Sequence, residues 1–179
     1  ILWFMLLHPG KAKVEQIAGE VSKVMSYHHG ATSLEGAIVG MAQSFCGTNN
    51  INLLEPIGQY GNRHGDKAAS PRYINTATSA ITRAIFKRDD DPILKLQVEE
   101  GKIIEPECLF PIIPMVLING SEGIGTAWST KILTYNPHDV IFACRAVNRG
   151  NDILTKDGTP MKPWVKNWTG TIELDADLT

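Results

Sequence analysis

Two runs of helical apolar spacing, broken by Tyr27-His28-His29-Gly30, constrain this chain more than any other feature. In the first run Val14, Ile17, Val21, Val24 and Met25 recur with the period of one helix face, predicting a helix over residues 14–25. In the second, Leu34, Ile38, Val39, Met41, Ala42 and Phe45 follow Thr32 and Glu35, a pair with capping-box spacing. Gly47 and Asn49-Asn50 are expected to end that helix. Two helices across a short Gly-containing turn fit a helix-turn-helix, although from pattern alone a generic helical hairpin is the commoner reading.

A polar, glycine-rich stretch follows. Gly58, Gly61 and Gly65 alternate with Arg63, His64 and Lys67, the composition of a loop whose backbone can approach a ligand. After a helix-turn-helix, such a loop fits the wing of a winged helix. Residues 73–78 read as a short strand and Ser79–Phe86 as a short helix. The charged break Lys87–Asp91, closed by Pro92, marks the expected domain boundary. Beyond it, Ile93–Val98 and Ile103 read as strands about a Glu99–Lys102 turn. Phe110–Ile118 reads as a buried strand, Pro137–Val147 as a helix with proline at its start, and Thr169–Leu174 as a last strand.

Bulk properties exclude several classes. The net charge of -2 over 179 residues points to no global polyanion binder, so any such contact needs local Lys and Arg clusters. The longest apolar run, Ile1–Leu7, is too short for a bilayer span, and no membrane partner is expected. Cys46, Cys108 and Cys144 are widely spaced without a CxxC, which favours reduced, buried thiols in an intracellular protein. The chain opens in apolar residues without an initiator Met and reads as a piece of something larger.

Three groups could carry chemistry. A free phenol has a pKa near ~10 and is a poor nucleophile at neutral pH, but a neighbouring cation favours its anion. Arg72 beside Tyr73 supplies such a cation. On a strand the two would point to opposite faces, so Arg72 would meet a phosphate sooner than the Tyr73 oxygen. A plain strand tyrosine is the competing reading. His28 and His29 could meet a phosphate or shuttle a proton; one packed and one solvated residue is the commoner reading of such a pair. No carboxylate or cysteine stands at ligand spacing, so no metal site is expected. Ile124, between Gly123 and Gly125, is either a buried turn residue or an apolar wedge of the kind that kinks DNA.

Taken in order, Tyr27-His28-His29-Gly30, Asn49-Asn50, Pro56–Arg63 (PIGQYGNR), Lys67–Ile74 (KAASPRYI), Ile104–Ser129 and Pro163–Leu174 resemble the cleavage core of type IIA DNA topoisomerases. The resemblance runs from about Lys13 to the end, and its flavour is that of the eukaryotic and large-DNA-virus enzymes. It implies an α+β fold, with a winged-helix domain over 1–91 followed by the start of a mixed α/β tower domain over 92–179. It implies ATP-dependent double-strand DNA cleavage and religation through a 5′-phosphotyrosyl intermediate. In that scheme Tyr73 is the nucleophile, Arg72 holds the scissile phosphate, and His28 or His29 stands near it. Ile124 wedges into the gate DNA, and Gln59, Arg63 and Lys67 lie along the DNA. Mg²⁺ and ATP are implied, with ligands outside this chain. Double-stranded DNA and a second protomer or further segments are the implied partners, in a nucleus or a viral setting. A non-cleaving winged-helix DNA-binding module is the alternative. Three departures stand out: Ala127 where the family has Gly, Asn75 where it has an aromatic, and a shortened Gly61–Ser70 loop.

Overall fold

The computed structural model describes residues 1–126 and 128–173. Ala127, and Leu174 at the end of the last expected strand, lie outside the described residues. The fold is mixed α/β, with short helices and, among the described residues, three separate two-stranded antiparallel pairs. It divides into two compact units, one of residues 1–44 and 52–112, the other of residues 45–51 and 113–179.

The first unit opens with α1 (Leu2–Leu7) and β1 (Ala12–Lys13), then α2 (Val14–Val24) and α3 (Ala31–Ala42). The periodic residues Val14, Ile17 and Val21 of α2, with Leu34 and Ile38 of α3, are buried, as apolar helix faces must be. The expected capping box is not formed. Gly30 is the N-cap of α3 at φ 85, with no side-chain cap bond, so Thr32 and Glu35 fall inside the helix. The helix also ends before Phe45, because Gln43 turns extended and its Nε2 donates to the Tyr60 carbonyl at 2.9 Å.

The strand expected at 73–78 shrinks to β2 (Asn75–Thr76), which pairs with β1 through Ala12–Thr76 and Lys13–Asn75. Isolated bridges join Ile57 to Asn75 and Leu54 to Thr78. Next come α4 (Thr82–Ile85) and a 3-10 turn over Arg88–Ile93. The charged break at Lys87–Pro92 therefore folds inside this unit. Arg83 secures it, donating to Asp91 at 3.2 Å and to the Leu6 carbonyl at 2.7 Å. The hairpin β3 (Leu96–Glu99) and β4 (Lys102–Pro106) turns at Glu100-Gly101, as expected.

The second unit holds α5 (Met115–Asn119), β5 (Ser121–Gly125), β6 (Trp128–Ile132) and α6 (Pro137–Val147). The buried strand expected at Phe110–Ile118 is absent: Phe110 and Ile112 are exposed, and the run ends as a helix. Pro111 and Pro114 lack the N–H a ladder requires, and Pro114 instead starts α5. Residues 169–173 form no strand. The thiols are less buried than expected, with Cys108 exposed.

The core of this unit is tied by Asn50, which is 4% exposed. Its Nδ2 donates to the carbonyls of Ile118 at 2.8 Å and Trp164 at 3.1 Å, and its Oδ1 accepts from the Lys166 N–H at 2.8 Å. Beside it, Asn119 pairs with both backbone groups of Ile51 at 2.9 Å, copying a strand ladder with a side chain.

Candidate functional site

Tyr73 stands in a turn, not on a strand. Ser70, Pro71, Arg72 and Tyr73 close a β-turn in which the Tyr73 N–H donates to the Ser70 carbonyl at 2.8 Å. Ser at the first position and Pro at the second are what such a turn favours. The turn is fastened to the start of α2. The first amides of a helix have no partner within it. Here the Val14 N–H donates to the Ile74 carbonyl at 3.1 Å, and the Glu15 N–H to the Pro71 carbonyl at 3.3 Å. Those two anchors bracket Arg72 and Tyr73, and the buried Ile74 pins the chain below them.

The turn overrides the alternation expected of a strand. The Arg72 Cζ lies 5.9 Å from the centroid of the Tyr73 ring, within cation–π range. The tyrosine is 73% exposed, so nothing in this chain seals its hydroxyl. Tyr60 is the opposite case. It is 4% exposed, its hydroxyl donates to the Asn75 carbonyl at 2.7 Å, and burial pushes its phenol above the usual value.

The glycine-rich loop is closed by Gln59. The Ala69 N–H donates to the Gln59 carbonyl at 3.0 Å and to its Oε1 at 2.9 Å; the Gly61 N–H also reaches Oε1 at 3.3 Å. Gln59 thus shapes the loop from within, its Oε1 accepting from both amides. Asn62 and Asp66 clasp the tip through Nδ2 and Oδ2 at 2.7 Å, leaving Arg63 and Lys67 exposed. Gly61 must be glycine, because its φ is 88 and a Cβ would sit 2.6 Å from the Asp66 carbonyl oxygen. Gly61→Ala is expected to lower stability by about 1–3 kcal/mol, read as a fall in the denaturation midpoint.

The two histidines part company. His28 Nε2 lies 3.3 Å from Glu99 Oε1, joining the α2–α3 connection to the end of β3. The His29 ring stands edge-on to Tyr27 at 5.3 Å, and the Tyr27 hydroxyl donates to Ser33 at 3.0 Å. Neither pairing involves Arg72 or Tyr73.

In the second unit Ile124 is on a strand and 90% exposed, which excludes the buried-turn reading. It pairs with Ser129, as Glu122 does with Lys131, whose Nζ–Oε2 distance is 3.6 Å. Among the described residues no cluster of three or more His, Cys, Asp or Glu side chains could hold a metal ion. No helix among them is long and apolar enough to cross a membrane.

The family of DNA gyrase and topoisomerase IV A-subunits matches residues 1–178. DNA topoisomerase 2 of Drosophila melanogaster is 48% identical over 169 residues, which cover 93% of this chain and 11% of that protein. The Pisum sativum protein of the same name is 50% identical over 92% of this chain and 11% of its own length. The chain therefore spans about a tenth of the length of these relatives. The crystal structure of the Plasmodium falciparum topoisomerase II DNA-binding, cleavage and re-ligation domain superposes with a TM-score of 0.86. It shares 43% identity and covers 93% of this chain and 22% of that one. With nearly every residue inside the family match and the fold shared, the chain belongs to the DNA gyrase/topoisomerase IV A-subunit family.

Proposed function

We propose that this chain carries the nucleophile of a type II DNA topoisomerase, which cleaves and reseals both strands of a duplex. The observation that carries the reading is Tyr73, exposed at the end of an anchored turn with the Arg72 guanidinium over its ring. The Tyr73 Oη gives up its proton and attacks phosphorus, the bond to the 3′ oxygen breaks, and that oxygen takes up a proton and leaves as a hydroxyl. The 5′ phosphate stays on the tyrosine. One phosphodiester replaces another, so resealing by the reverse attack needs no new energy source. Arg72 meets the charge that develops on the phosphoryl oxygens, and His28 or His29 supplies a further donor once DNA is present. In this reading α2, α3 and the Gly58–Ser70 loop act as a winged helix, with Arg63 and Lys67 on the backbone and Gln59 holding the loop. Ile124 enters a base step and bends the duplex. Residues beyond about 92 begin the tower domain. Further segments supply the metal and nucleotide sites, and a second protomer cuts the other strand, in a nucleus or a viral setting.

Mass spectrometry of the adduct tests this reading. The full-length protein is incubated with duplex DNA and Mg²⁺, denatured, digested and sequenced. A nucleotide remnant on the peptide containing Tyr73 is expected. A remnant on another residue, or no adduct from active protein, overturns the assignment.

A further inference from the structure

A chain with a net charge of -2 can hold a polyanion only where Lys and Arg gather locally, and the end of α6 is such a place. Arg145 stands in the last turn, Arg149 follows it, and Gly150 at φ 75 closes the helix. The Gly150 N–H donates to the Val147 carbonyl at 2.9 Å and the Asn151 N–H to the Ala146 carbonyl at 3.0 Å, the paired bonds of a Schellman cap. Backbone donors thus satisfy these last carbonyls without either guanidinium. The cap reverses the chain into a tight turn, where the Thr155 N–H donates to the Thr159 carbonyl at 2.8 Å and the Gly158 N–H to the Thr155 carbonyl at 2.9 Å. That turn carries Lys156. Arg145, Arg149 and Lys156 line one pocket of about 610 Å³, with Asp152 as the carboxylate on its wall and Phe142 and Leu154 as apolar lining. The carbonyl end of a helix favours cations, which accounts for the arginines but not for Lys156. Four residues apart, the two arginines also repel each other. Among the described residues none of the three cations forms an ion pair or a side-chain hydrogen bond.

We infer that this pocket binds a small oligophosphate, a ligand with two or more linked phosphate groups. It is built from residues of the second unit alone, and nothing in it depends on the cleavage chemistry. Its volume falls in the range of small-molecule sites, about 300–1,000 Å³. A duplex backbone is convex and is met by cations spread along it; here three cations from a helix end and a returning turn share one hollow. Three cations against one carboxylate leave positive charge that a monoanion does not neutralise. The guanidiniums suit the paired oxygens of one phosphate, and the Lys156 ammonium acts as a point charge on the next. A bound oligophosphate also relieves the repulsion between the arginines. Backbone bonds hold both the cap and the turn, so the cations are gathered before the ligand arrives, which lowers the cost of binding.

Equilibrium dialysis of the full-length protein against radiolabelled inorganic tripolyphosphate, without Mg²⁺, tests the proposal. Lys156→Gln, and separately Arg145→Gln combined with Arg149→Gln, are each expected to weaken uptake about tenfold or more. Lysine at both arginine positions should recover part of it. Asp152→Asn is expected to tighten binding, which a merely structural role for the turn would not do. All four side chains are exposed, so melting temperature and covalent DNA adduct should match the parent in every variant. Tripolyphosphate uptake that survives loss of both arginines lies elsewhere and overturns the proposal, as does a parent protein that takes up none. Duplex binding that becomes weaker and less salt-dependent while tripolyphosphate uptake is unchanged would assign the cluster to a DNA backbone, and this too would overturn it.

Discussion

Tyr73→Phe is expected to abolish covalent DNA adduct in the full-length protein while leaving its melting temperature and DNA affinity where they were. The substitution removes one oxygen. The ring stays, so the guanidinium 5.9 Å from its centroid keeps its partner. Both anchors to α2 run through backbone groups of Pro71 and Ile74, which the change does not touch. At 73% exposure the lost hydroxyl leaves no cavity, so the stability change should stay within about 0.5 kcal/mol. Loss of a covalent nucleophile costs on the order of 10⁶ in rate, which puts the product below detection. Tyr60→Phe is the contrasting control. It gives up a bond to the Asn75 carbonyl and lowers stability, yet should still form adduct. Denaturant trapping followed by gel analysis separates the two. Adduct from Tyr73→Phe at a tenth of the parent level would rule out Tyr73 as the nucleophile. A parent protein that binds DNA with steep salt dependence but gives no adduct in any context would favour a non-cleaving winged-helix module instead.

What is legible in the sequence depends on how local the cause is. Helix α2 announces itself because Val14, Ile17 and Val21 recur at its own period. Proline at the start of α6 is equally local, and Asn136 completes that cap by accepting from the His138 N–H at 2.9 Å. The start of α3 departs from its pattern because Gly30, in a left-handed conformation, takes the position that spacing assigns to a side-chain cap. Composition places Tyr73 on a strand because Ile74–Thr78 is rich in β-formers, although Ser70 and Pro71 are good residues for the turn that wins. That turn brings Arg72 and Tyr73 together, which strand alternation forbids. Ile124 sits in a segment whose glycines read as a loop. Pairing with β6 makes it a strand, and no single-strand pattern contains that partner. Gln59 is expected along the DNA; that its Oε1 also accepts from Ala69 and Gly61 is something no spacing rule foretells.

Asn50 is where sequence reasoning misses most: it reads as a helix terminator and as part of the family resemblance, and neither foretells its buried bonds. Asn50→Asp is expected to be the most disruptive conservative change in the second unit. The native amide donates from Nδ2 to two carbonyls, those of Ile118 and Trp164, and accepts at Oδ1 from the Lys166 N–H. A carboxylate of the same shape keeps the third bond and turns both of the others into contacts between an anion and carbonyl oxygens. With the residue 4% exposed, water cannot relieve them. Each donor lost beside a buried acceptor costs about 1–3 kcal/mol, and a buried unpaired charge adds to that. The change should therefore cost roughly 3–5 kcal/mol, and Asn50→Ala about 2–4. Protonation restores one donor, so Asn50→Asp should regain part of its lost stability as pH falls, whereas Asn50→Ala should not. Unfolding midpoints of the two variants across acidic and neutral pH check this. An Asp variant as stable as the parent at neutral pH would mean that the three bonds do not hold this unit together.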